Sequence, residues 1–167
     1  MMFKRYGTTW LITRSKKVNN LPEIKIKKLN TLAKVPTKGT AGSAGWDLYA
    51  ALPQDVLIKP NETNKISTGI SIAIPSSEFV GLIFARSGLS VSFGIAPANA
   101  VGVIDSDYRG ELVVPLHNYS TKDYFVHHGD RIAQFLLMPV IEFKFAEVQE
   151  LDNTLRGANG FGSTGVS

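Results

Sequence analysis

Residues Lys65–Ile74 place Ile66, Thr68, Ile70, Ile72 and Ile74 at every second position. A period of two belongs to a β-strand with one face against a core, and no helix can gather those five side chains on one stripe. Ile24 and Ile26 begin a similar pattern near the start, and further strand-like runs are Phe79–Ala85, Leu112–Asn118, Asp123–Val126 and Ile132–Val140. Turn clusters separate them, among them Lys59-Pro60-Asn61, Pro75-Ser76-Ser77 and His128-Gly129-Asp130. No segment carries the pattern of a long capped amphipathic helix. Many short strands with regular punctuation predict an all-β domain, a sandwich, jelly roll or barrel.

The 167 residues are enough for one such domain with an ordinary core. The absence of cysteine excludes disulfides, thiolate metal sites and thiol catalysis. No apolar run reaches the length of a membrane span. Residues 1–38 hold ten Lys/Arg against one acid, Glu23, so the rest of the chain is acidic with a net charge of −5 although the whole is +4. A fold that binds nucleic acid needs its positive charge on the folded surface, and this distribution argues against one. The expected organisation is a basic extension at 1–20, disordered or targeting, then a β domain at 21–150 and an arm at 151–167. The extension is hydroxyl-rich and free of acids, a composition that resembles an organelle transit peptide, while the domain itself is expected in the cytoplasm.

Five polar, glycine-rich islands interrupt or follow the strands. They are Ala41–Leu48, Ala85–Ser90, Asn99–Gly110, Gly129–Gln134 and the closing stretch RGANGFGSTG at 156–165. The last spaces Gly157 and Gly162-Ser163 almost as a P-loop does, but has neither the lysine nor a following helix. Each island alone is what an ordinary turn looks like. Together they supply arginines and hydroxyls for phosphate oxygens, glycines for close backbone approach, and carboxylates for a metal or a base. Phe161, with nothing local to pack on, suits stacking on a flat ligand.

In this order the islands resemble the five signature motifs of the trimeric dUTP pyrophosphatases, GVIDSDYRGEL at 102–112 and the glycine-rich arm above all. The resemblance runs from about Glu23 to Gly165. It implies a β jelly roll that assembles as a homotrimer, with sites shared between subunits and closed by the arm. It implies Mg²⁺-assisted hydrolysis of dUTP to dUMP and pyrophosphate. Asp105 would orient and deprotonate the water that attacks the α-phosphorus. Tyr108 would lie against the deoxyribose and exclude a 2′-hydroxyl. Asn99 would contact uracil at the mouth of a β-hairpin spanning roughly Val91–Asp105. Arg86, Ser87, Gly88 and Gln134 would bind phosphates, as would Arg156, Gly162, Ser163 and Thr164 of the arm, with Phe161 over the base. Asp47 would help hold the hydrated magnesium ion. Asp107, Arg109, His117 and the pair His127-His128 are expected to be structural or solvated. Two positions depart from the usual motifs: Ala85 stands where proline is common, and Trp46 where a smaller apolar residue or tyrosine is usual. The rival readings are a dCTP deaminase-like enzyme, which would release ammonia from dCTP, and a nucleotide-gated regulatory binding protein.

Overall fold

The computed structural model describes residues 4–6, 9–11, 21–158 and 160. Twelve strands follow one another: β1 (Lys4–Tyr6), β2 (Thr9–Leu11), β3 (Lys25–Lys28), β4 (Trp46–Tyr49), β5 (Val56–Ile58), β6 (Thr63–Ala73), β7 (Phe79–Phe84), β8 (Ile95–Pro97), β9 (Gly102–Ile104), β10 (Glu111–Asn118), β11 (Tyr124–Val126) and β12 (Arg131–Pro139), with one short helix, α1 (Ser87–Phe93), between β7 and β8. The chain shuttles between two antiparallel four-stranded sheets, ordered β3-β6-β10-β8 and β4-β12-β7-β9, with β11-β5 as a small third ladder. That is a jelly-roll sandwich. Within the basic extension, β1 and β2 pair as a hairpin; the remaining positions of 1–20 lie outside the described residues.

The alternation in β6 does what its period demands. Ile66, Thr68, Ile70, Ile72 and Ile74 are all buried, and the core they enter receives Leu112, Val114 and Leu116 from β10 and Leu48, Ile83, Ile132 and Phe135 from the facing sheet. Thr68 is tolerated there because its hydroxyl donates to the Leu112 carbonyl at 2.5 Å. Asn118, fully buried, has its amide spent on the Ile58 and Lys122 carbonyls, and its oxygen accepts from the Ser120 N–H and hydroxyl.

The β6–β10 ladder is irregular, and one stretch differs from the sequence expectation. In the ladder Ser67 faces Val113 and Ser71 faces Glu111, so β6 carries two extra residues in between. The excess is taken up at Gly69, whose φ of 65° is in the left-handed region. The hairpin expected over Val91–Asp105 is not a hairpin. Val91 lies in α1, β8 pairs with β10, and β9 pairs with β7, so this stretch crosses from one sheet to the other.

Candidate active site

The residues of the islands fall into two groups, one at each end of β7. At its C-terminal end, Phe84 faces Gln134 of β12, and Gln134 in turn faces Asp47 of β4. Gly45 admits the Gln134 side chain, since a Cβ there would stand 3.0 Å from Gln134 Oε1. Two residues past Phe84, Arg86 caps α1 in extended conformation, and Ser87 and Gly88 follow, exposed, in the first turn. Arg86 Nε donates to Asp47 Oδ1 at 2.9 Å and its Nη1 to the Arg131 carbonyl at 3.1 Å. Arg131 Nη1 donates to the other oxygen of Asp47 at 3.2 Å.

Asp47, expected to help hold a hydrated magnesium ion, has two guanidinium partners in this structure. Its side chain is only 8% exposed and both oxygens face guanidiniums. Asp47 is the anchor of Arg86, and Arg131 is the second guanidinium of the triad. Ala85, beside Arg86, removes no group that makes these contacts. Trp46 is half-exposed beside Asp47, with Lys38 Nζ 5.6 Å from its ring centre.

The second group sits on β9 and the loop after it. Ile104 faces Gly81, near the other end of β7. Asp105 follows, exposed, in a cleft of about 200 Å³ lined also by Val103, Tyr108, Glu111 and Val113. The Tyr108 hydroxyl donates to the Glu111 carbonyl at 3.0 Å, and Arg109 ties the same loop by donating to the Ser106 and Tyr108 carbonyls. Asn99 is exposed in the turn before β9, next to Ala100, which adopts φ 58°. A non-glycine residue held in this left-handed region marks an over-determined loop.

Within one chain the two groups remain apart. From Gly81, opposite Ile104, to Arg86 is five residues of extended chain, roughly 16 Å at the strand rise. Of the arm, Arg156 is described and exposed, ahead of Gly157 at φ 52°. Phe161, Gly162, Ser163 and Thr164 lie outside the described residues. Among the described residues no cluster of three or more His, Cys, Asp or Glu forms a cation cage, and no helix is long and apolar enough to cross a membrane. His117 Nδ1 bonds the Thr63 hydroxyl at 2.8 Å beneath Tyr119, and His127 pairs with Asp55, so neither is directed at the groups above.

The chain thus joins a jelly roll to an exposed aspartate over a small cleft and, separately, to a buried carboxylate that clamps an arginine, the features of a β-fold domain with a polar site. The dUTPase family model matches residues 31–165, and the chain belongs to the dUTPase family. It is 48% identical over 134 residues to a deoxyuridine 5'-triphosphate nucleotidohydrolase of Desulfitobacterium hafniense, covering 80% of this chain and 89% of that one. The corresponding enzyme of Acinetobacter baumannii is 47% identical over 131 residues, 78% of this chain and 87% of that one. Among solved structures, the dUTPase of Staphylococcus bacteriophage 80alpha with the dUTP analogue dUpNHpp superposes with a TM-score of 0.78 at 27% identity, covering 86% of this chain and 99% of that one.

Proposed function

We propose how this chain carries out the reaction of its family, the hydrolysis of dUTP to dUMP and pyrophosphate. Asp105 holds a water in line with the α-phosphorus and accepts its proton as the water oxygen attacks. The bond from the α-phosphorus to the bridging oxygen breaks, and pyrophosphate leaves with that oxygen. Little covalent chemistry falls to the protein, so placement and electrostatics supply most of the rate. Tyr108 lies against the deoxyribose and leaves no room for a 2′-hydroxyl. The Asn99 turn reads uracil with fixed backbone groups; cytosine's amino group would leave a buried donor unpaired, costing about 1–3 kcal/mol. Arg86, Ser87, Gly88 and Gln134 bind the phosphate chain, and Arg156, Gly162, Ser163 and Thr164 close over it with Phe161 on the base.

The donor set fits a magnesium ion that would arrive on the triphosphate and keep its waters, with Asp47 near it through water, since among the described residues no three His, Cys, Asp or Glu cluster as a cage. When bound, the ion supplies charge neutralisation on the phosphates. A dUTPase of phage phi11 of S. aureus, 23% identical to this chain, has been described with a structural Mg(II) ion.

The observation that carries the reading is the exposed Asp105 carboxylate in its cleft, too far within one chain from the guanidinium that would hold the adjacent phosphates. A complete site therefore takes Asp105 from one protomer and Arg86 from another, as in a homotrimer. Further support comes from exposed Ile141, Phe143, Phe145, Val148 and Leu151 in the stretch after β12, and from an apolar groove of about 510 Å³ between the edge strands β3 and β4. The reaction is placed in the cytoplasm. Neither rival reading gains support, since the family model and the curated relatives described above are dUTPases.

Product analysis with dUTP, dCTP, dTTP and UTP in Mg²⁺ tests the proposal. dUMP and pyrophosphate should form from dUTP alone, and Asp105→Asn should abolish turnover while dUTP still binds. Full turnover by that variant, or a monomeric sedimentation mass for the active protein, would refute the mechanism or the shared site respectively.

A further inference from the structure

We propose that Glu111 is a positioning residue for sugar selection: its carboxylate, locked into the bulge of β6, sets the carbonyl on which Tyr108 hangs. The proposal deepens the reading of Tyr108 above and rests on it.

A strand with two surplus residues leaves backbone groups without ladder partners, and a buried donor without an acceptor is costly. The surplus in β6 lies between the Ser67–Val113 and Ser71–Glu111 pairs. At its centre Gly69 is confined, since a Cβ there would meet Ala33 Cβ and Asn30 Oδ1 at 2.9 Å. The Gly69 N–H donates to Glu111 Oε1 at 2.7 Å, and the Ser67 hydroxyl donates to the same oxygen. The glutamate side chain thus takes the place of the missing ladder acceptor.

Glu111 is also where β10 begins and the catalytic loop ends. Its carbonyl accepts the Tyr108 hydroxyl, and the Tyr108 ring lies over Gly110, where a Cβ would come within 2.6 Å of the ring Cζ. One residue therefore grips the sheet with its side chain and the tyrosine with its main chain. It lines the same cleft as Asp105 and Tyr108. Asp105 stands six residues upstream, directly after β9, whose Ile104 is paired to Gly81, so release of Glu111 moves the sugar-facing ring more than the base. The consequence belongs to selectivity: a ring free to shift admits the 2′-hydroxyl of UTP.

The test compares kcat and KM on dUTP and UTP for the full chain and its E111A, E111Q and S67A variants, with thermal unfolding alongside. E111A should raise the UTP-to-dUTP ratio of kcat/KM about ten-fold, chiefly through KM, as expected for losing charge-assisted bonds that hold the ring. S67A, which removes one donor, should shift it about three-fold in the same direction. E111Q keeps an acceptor oxygen for both donors and should stay within about two-fold of the wild type. If E111A lowers both substrates in equal proportion along with stability, Glu111 serves the fold alone and the proposal is wrong. An E111Q as permissive as E111A overturns it too. Should E111A fail to fold, S67A decides, and an unchanged ratio there refutes the latch. A wild type that yields no dUMP from dUTP would remove the parent reading and this one with it, an outcome distinct from an active wild type whose E111A stays selective.

Discussion

Replacing Asp47 by alanine separates two jobs that one carboxylate can do: hold an arginine, or hold a hydrated metal. The structure puts the weight on the first. The Arg86 bond is 2.9 Å long between side chains only 22% and 8% exposed, so its loss should cost about 2 kcal/mol, the usual worth of a hydrogen bond to a charged group. The Arg131 bond, at 3.2 Å with Arg131 49% exposed, is screened by water and adds no more than about 0.5 kcal/mol. Together they lower Tm by roughly 5–10 °C for a chain of this size. Arg86, released, loses its aim at the phosphates, and KM for dUTP should rise about ten-fold. The magnesium concentration for half-maximal activity should not move. Pyrophosphate release titrated with MgCl₂, beside calorimetric unfolding, reads both quantities. A variant that keeps its Tm but needs about ten-fold more magnesium would show that the ion is the partner of Asp47, and the argument from burial and charge would fail.

Other perturbations probe the frame around the site. Gly81→Ala brings a Cβ to 2.6 Å from Phe135 Cε2 and 3.2 Å from Ile104 Cβ; we expect a loss of about 1–3 kcal/mol in denaturant unfolding, and a fall in kcat because Ile104 carries Asp105. Asn118→Ala strips acceptors and donors from four buried or half-buried groups and should cost about 3 kcal/mol in the same assay. Tyr124 has its pKa raised above 10.0, by burial first and by the charge of Asp130 second. The folded state therefore keeps the phenol proton that the unfolded chain gives up, so stability holds below pH 10 and declines as pH rises through the folded value. Tyr124→Phe should flatten that alkaline decline in Tm measured from pH 9 to 11, and an unchanged slope would count against it.

Much of this was readable from the chain because it is local. The Ile66–Ile74 alternation needs no partner to be seen, and the islands mark themselves by glycine and charge. What escaped is tertiary. Whether a three-residue strand such as β8 joins its neighbour or crosses to the other sheet depends on who covers it, and periodicity is blind to that. Helix α1 shows no amphipathic stripe, since only Leu89 is buried, and it ends because Gly94 takes a left-handed turn. The partners of Asp47 lie 39 and 84 positions away. A buried aspartate demands a counter-charge, but sequence alone does not say which of the many cations provides it. Glu111 stood inside the most recognisable motif, and only the bulge at Gly69 explains what its side chain does.

The separation of Asp105 from Arg86 along β7 has a genetic side. If each site is drawn from two protomers, as proposed, a defect in the aspartate half and a defect in the arginine half are not the same lesion. Two alleles, each producing inactive protein, should then restore one another when co-expressed, because some interfaces draw the sound half from each. A single allele defective in both halves should restore nothing, and beside two sound protomers it should leave one site of three working.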